Sequence, residues 1–161
     1  SLYPRFPHLD VLIANAGVLG PITPISHLQD KDWTEVLTVN LTANWRLMRS
    51  LEPLLKRSAA GRALFVSSGA AVNPRAYWGA YAVSKFGIEG LSQTLSVELK
   101  TEARIRVNCI NPGRTRTRMR AAAYPGEDPL ARPEPASLMA TYLWLLGPAS
   151  RGTTGHSLDC Q

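Results

Sequence analysis

Ser68, Tyr81 and Lys85 are the residues whose types and spacing could do chemistry in this chain. Tyr81 and Lys85 stand four apart within AYWGAYAVSKFG (76–87), so on a helix they share a face. An ammonium beside a phenol favours the phenolate and draws the phenol pKa down from about 10. A tyrosine tuned in this way can both donate and accept a proton. Ser68 ends an apolar run thirteen residues before Tyr81. A connection of that length can bring both hydroxyls to one crevice, where the serine would hold a substrate oxygen by hydrogen bond. The three groups together suit proton transfer at an alcohol or carbonyl oxygen. The Tyr–Lys pair alone is also what an ordinary helix surface offers, so its meaning depends on the elements around it.

Those elements alternate. DVLIANAG (10–17) reads as a buried strand stopped by a turn, and GPITPI (20–25) as a loop. Asp30 is the expected cap of a helix that starts near Lys31 and runs to about Arg57, with apolar residues at helical spacing. RALFVSSGA (62–70) is a second strand, and a long helix is expected from about Trp78 to Glu102. IRVNCINPG (105–113) is a third strand, broken at Asn-Pro-Gly. A loop rich in arginine and then proline (114–135), a helix over 136–146 and a short final strand in TTGHSLDC complete the order. Apolar strands alternating with long helices predict an α/β fold, a Rossmann-like parallel sheet in three layers with about four strands. Ligands of such sheets bind beyond the carboxyl ends of the strands. Those ends are Asn15-Ala16-Gly17, Ser67-Ser68-Gly69 and Asn111-Pro112-Gly113.

Composition narrows the function classes. The 161 residues are 45% hydrophobic and 19% charged, as expected of one soluble domain. No apolar run approaches the ~20 residues of a membrane span. Cys109 and Cys160 sit in apolar strand-like runs, which suits buried thiols in a reducing compartment and predicts a cytoplasmic protein. His8, His27 and His156 are scattered, so no metal site is expected. Much of the +6 net charge lies in GRTRTRMR, with Arg114, Arg116, Arg118 and Arg120. That segment has neither a recognition helix nor stacking aromatics, which argues against nucleic acid as a partner. Its arginines would suit an anionic substrate or a phosphate.

Several motifs in order resemble the short-chain dehydrogenase/reductase family: NAG at 15–17, VNL at 39–41, Ser68, Tyr81-x-x-x-Lys85, NPG at 111–113 followed by Thr115 and Thr117, and the closing TGHSLD. The resemblance implies an NAD- or NADP-dependent oxidoreductase that interconverts a small-molecule alcohol and a carbonyl. It makes Tyr81 the general acid/base and Ser68 the group that orients the substrate oxygen. Lys85 would lower the Tyr81 pKa and hold the nicotinamide ribose. Asn40 would support a water in a proton relay to Lys85. Asn15, Ala16 and Gly17 would back the adenosine side. Pro112, Gly113, Thr115 and Thr117 would contact the nicotinamide and nearby phosphate. Tyr77 is excluded as the catalytic tyrosine because position 81 is not a lysine. Arg75 and Trp78 are candidates to line the substrate pocket, and Ser67 a buried strand-end hydroxyl.

The glycine-rich turn that grips the cofactor pyrophosphate in this family has no counterpart here, since Gly-x-Gly occurs nowhere in the sequence. The first strand here corresponds to the family's fourth. Residues 1–161 are therefore read as one partial Rossmann-type domain, the catalytic half, with strand 10–14 left at a sheet edge. The two long helices resemble those through which the family builds homodimers and homotetramers, so a non-catalytic assembly module is the rival reading. A sugar-nucleotide epimerase or dehydratase shares the Tyr-x-x-x-Lys pair but carries a larger carboxyl-terminal domain than this chain shows.

Overall fold

The computed structural model describes residues 2–99 and 105–161. Four strands form one parallel sheet in the order β1-β2-β3-β4: β1 Val11–Ala14, β2 Gly61–Val66, β3 Ile105–Asn111 and β4 Ser157–Asp159. Registers are Val11↔Arg62, Gly61↔Ile105 and Cys109↔Ser157 at the starts of the three pairings. The α/β expectation holds in kind and in strand number.

Strand alternation splits the core into two layers. Leu12, Ala14, Ala63, Phe65, Val107 and Cys109 point to one face. There they meet Met48 and Leu55 of α2 (Ala43–Lys56) and Ile88 and Leu95 of α3 (Gly79–Glu98). Leu64 and Ile110 point the other way, onto Leu145 of α5 (Met139–Leu146), with Tyr142 and Leu146 beside it. Each such fully buried large side chain contributes about 1.5–3 kcal/mol. Asn108 is a polar exception inside β3. Its amide donates to the Thr153 carbonyl at 3.0 Å and accepts from the His156 N–H at 3.1 Å, tying down the chain before β4.

The long helix expected from Lys31 to Arg57 differs in detail. α1 spans Asp30–Leu37, a π-helical segment spans Thr38–Thr42, and α2 follows without a break. Gln29, not Asp30, is the N-cap, and it makes no side-chain cap bond. Asp30 and Asp32 instead lie in the first turn, where the free N–H groups favour negative charge. α3 starts at Gly79, with Trp78 as N-cap, and ends at Glu98, so the expected extension to Glu102 falls largely outside the described residues. The 114–135 loop contains a further helix, α4 (Arg118–Ala123), capped by Thr117. No helix among the described residues is long and apolar enough to cross a membrane. Both cysteines are free thiols.

Candidate active site

A cleft of about 660 Å³ opens at the carboxyl ends of β1, β2 and β3, where an open parallel sheet leaves room for a ligand. Asn15, Ala16, Gly17, Ser68, Tyr81, Lys85, Pro112, Gly113, Thr115 and Thr117 all line it. One expected residue does not. Asn40 is fully buried behind the cleft.

Each of these side chains has a local cause for its place. Ser68 caps the short helical turn Gly69–Ala71, accepting from the Ala70 N–H at 3.2 Å. That bond uses an oxygen lone pair and leaves the hydroxyl proton to donate. Tyr81 lies in the first turn of α3 and is 8% exposed. Leu19, Trp78 and Met119 pack around it, and the Trp78 ring meets it edge-on at 5.6 Å. Lys85 follows one turn later at 4% exposure. Its Nζ donates to the Val66 carbonyl at 2.7 Å and stands 5.6 Å from the Tyr81 ring centre.

Electrostatics at the pair run partly against expectation. Burial pushes the Tyr81 phenol above its ordinary value, and a hydrogen bond with Ser68 opposes that shift. Burial also brings Lys85 down to about 8, opposed by nearby Cys109. The ammonium is thus the dominant form at neutral pH, while the expected lowering of Tyr81 is not reached: desolvation outweighs the help available.

The Asn40 side chain is held by protein partners. Its Oδ1 accepts from the Val18 N–H at 2.8 Å. Its Nδ2 donates to the Val18 carbonyl at 2.9 Å and to Ser84 Oγ at 3.0 Å. Both amide protons are therefore committed. Its backbone carbonyl accepts from the Asn44 amide. The π-helical segment turns Asn40 inward, and its side chain fixes the chain after β1 against α3. Ser84 in turn donates to the Tyr81 carbonyl at 2.7 Å, so the network ends at the helix turn that carries the tyrosine.

On the far wall, Asn111 donates to Asp159 at 2.7 Å and accepts from the Gly113 N–H at 3.0 Å. Gly113 has φ +71°, and a Cβ there would come within 2.8 Å of Gln161. Thr115 donates to the Pro112 carbonyl at 3.0 Å, and Thr117 accepts from the Arg120 N–H at 3.1 Å. Both hydroxyls shape the wall they line. Trp78 lines the cleft as expected, whereas Arg75 lies beside it, against the rings of Trp78 and Tyr124. Ser67 is buried as expected, and its hydroxyl has no hydrogen-bond partner among the described residues. Leu19, Met119 and the α5 residues Met139 and Tyr142 also line the cleft. Spacing could not reveal them, because they are apolar residues drawn from three separate segments. Of the four loop arginines, Arg116 pairs with Glu134 and Arg120 with Glu127.

Residues 2–128 match the family described as short chain dehydrogenase. The chain belongs to that family. An oxidoreductase of Escherichia coli (strain K12), YciK, is 48% identical over 157 residues, covering 98% of this chain and 62% of the relative. A short chain dehydrogenase structure from Pseudomonas syringae superposes with TM-score 0.96 at 49% identity, covering 99% of this chain and 65% of that one. One from Escherichia coli CFT073, complexed with NADPH, gives TM-score 0.95 at 47% identity and covers 99% and 66%. The chain thus spans a little under two thirds of the length of these relatives.

Proposed function

We propose that this chain carries the proton-handling and nicotinamide-side half of an NAD- or NADP-dependent oxidoreductase that interconverts an alcohol and a carbonyl. The observation that carries this reading is the convergence of Ser68, Tyr81 and Lys85 on one cleft wall. Relatives complexed with NADPH and NADP, and an NAD-dependent oxidoreductase of Mycobacterium tuberculosis at 33% identity, support the cofactor class.

The donor set fits the nicotinamide end of such a cofactor. One N–H of Lys85 is spent on Val66, and the ammonium has two more to offer a ribose diol. Asn15, Ala16 and Gly17 form the floor beside it, and Pro112, Gly113, Thr115 and Thr117 the opposite wall. When bound, the nicotinamide exchanges a hydride with the substrate carbon. The remaining work falls to this chain's residues. The Ser68 proton holds the substrate oxygen. Tyr81 gives its phenolic proton to that oxygen when an alcohol forms and recovers it in reverse. The nearby Lys85 charge favours the phenolate. Asn40 acts at one remove, by positioning Val18 and the first turns of α3.

Fluorescence titration of the 161-residue chain with NADPH and NADH tests the proposal. Saturable binding is expected, at least tenfold weaker in Lys85→Ala. Tyr81→Phe should bind equally and turn nothing over. A folded chain with no saturable binding sinks the reading for these 161 residues.

Self-association through the two long helices is a second, compatible proposal. Trp45 and Leu47 on α2 and Val83 and Phe86 on α3 are exposed apolar residues on these helices. A homodimer or homotetramer in sedimentation analysis is the expected result.

A further inference from the structure

The wall around Tyr81 is apolar, built from Leu19, Trp78 and Met119. The segment that carries Met119 contributes one charged side chain to the cleft, Arg120. An unpaired guanidinium in a partly closed apolar cleft would be a strong anion site, because water screens it poorly there. Arg120 is not unpaired. Its Nε and Nη2 donate to the two carboxylate oxygens of Glu127 at 2.6 and 2.7 Å, a fork-to-fork geometry. Both side chains are largely buried, at 14% and 17% exposure. The guanidinium also lies 3.7 Å over the Tyr124 ring. Tyr124 is held in turn by a hydrogen bond from Arg75 and by the Trp78 ring at 5.9 Å. Arg132 donates to Glu127 from outside the cleft at 2.5 Å, so the surplus positive charge of the trio sits away from the substrate.

We propose that Glu127 sets substrate choice. By holding Arg120, it leaves Lys85, which the oxidoreductase reading assigns to the nicotinamide ribose, as the other charged side chain lining the cleft. It thereby suits the substrate side to a neutral alcohol or carbonyl compound with an apolar body, in preference to a carboxylate or phosphate ester. The proposal rests on the oxidoreductase reading for the chemical class of the ligand. It reverses what the arginine count in GRTRTRMR suggests, because the carboxylate that matters lies seven residues beyond Arg120.

Two matched ketones test it on the whole chain, acetophenone and its anionic analogue 4-acetylbenzoate. Binding is read by ligand-observed NMR and calorimetry at pH 7. The wild-type chain is expected to bind acetophenone at least tenfold more tightly. Glu127→Gln should erase that preference by freeing Arg120 toward the carboxylate, with a dependence on salt. The double variant Glu127→Gln/Arg120→Gln should restore it, which separates charge from collapse of the segment. Equal or tighter binding of 4-acetylbenzoate by the wild type overturns the proposal without any variant. So does binding of neither ketone, or a ratio unchanged by Glu127→Gln in a chain that still melts cooperatively. Hydride transfer is not read in this experiment, and the oxidoreductase reading is tested separately by the NADPH and NADH titration. Ketone preference in a chain that binds neither cofactor would therefore remove the oxidoreductase reading and leave the cleft preference standing.

Discussion

Lys85 shows how one residue serves the site at a cost to the fold. Its amine is buried with a hydrogen bond to the Val66 carbonyl, and its pKa falls from 10.5 to about 8. A folded value below the unfolded one means that the unfolded chain binds the proton more tightly. The amine's contribution to stability is therefore complete above about pH 10.5 and is lost as pH falls toward 8. Relative to Lys85→Met, which does not titrate, the wild-type chain should gain stability between pH 8 and 10.5 and show a constant difference below that window. Urea midpoints for both proteins at pH 7, 9 and 10.5 check this. A difference that stays flat across the series would mean the folded amine titrates like a surface lysine. The sequence could place Lys85 one turn from Tyr81, because helical periodicity is local. It could not say that burial dominates at both groups, since the burial of Tyr81 depends partly on Leu19 and Met119 arriving from distant segments.

At the scale of elements, the cleft depends on turns that only particular residues allow. Gly113 follows β3 in the left-handed region and has no room for a side chain beside Gln161. Gly113→Ala should cost about 1–2 kcal/mol from backbone conformation alone, and more if Gln161 cannot move. Denaturant midpoints measure that cost. NADPH titration should show a larger proportional loss, because Pro112 and Thr115 share the displaced turn. The strands and long helices were legible in the sequence because each rests on a repeated local pattern, alternating or helical. Asn-Pro-Gly marked the end of β3 for the same reason: those residue types terminate strands by their own backbone limits. The π-helical segment at Thr38–Thr42 was not legible, because one inserted residue leaves the apolar spacing on either side nearly unchanged. Its consequence is the inward turn of Asn40, so the residue was recognisable while its hydrogen-bond partners were not. α4 was hidden by its composition, Arg-Met-Arg-Ala-Ala-Ala, which has no apolar stripe and is held by the Thr117 cap and the Arg120–Glu127 pair.

For the whole molecule, the question is what the sheet does at β1. Backbone groups alternate sides along a strand, and the Asp10 carbonyl accepts from the Arg62 N–H. Leu12 and Ala14 therefore turn their amides toward β2, while Val11 and Ile13 turn theirs to the open edge. Ile13 is also 43% exposed on the face where α5 does not reach. A parallel edge of this kind pairs readily with another strand. Amide hydrogen exchange reads this residue by residue. In dilute solution the Val11 and Ile13 amides should exchange orders of magnitude faster than those of Leu12, Ala14 and the core of β3. If their protection rises with protein concentration, copies of the chain are meeting through β1. If it is high at every concentration, a segment of the same chain covers the edge. Protection unchanged by concentration but falling when the Val18–Asn40 bonds are broken by Asn40→Ala would place that cover in the loop after β1, the same loop that floors the cleft. The edge and the cleft would then share one source of order, and loss of cofactor affinity would accompany loss of edge protection in that variant.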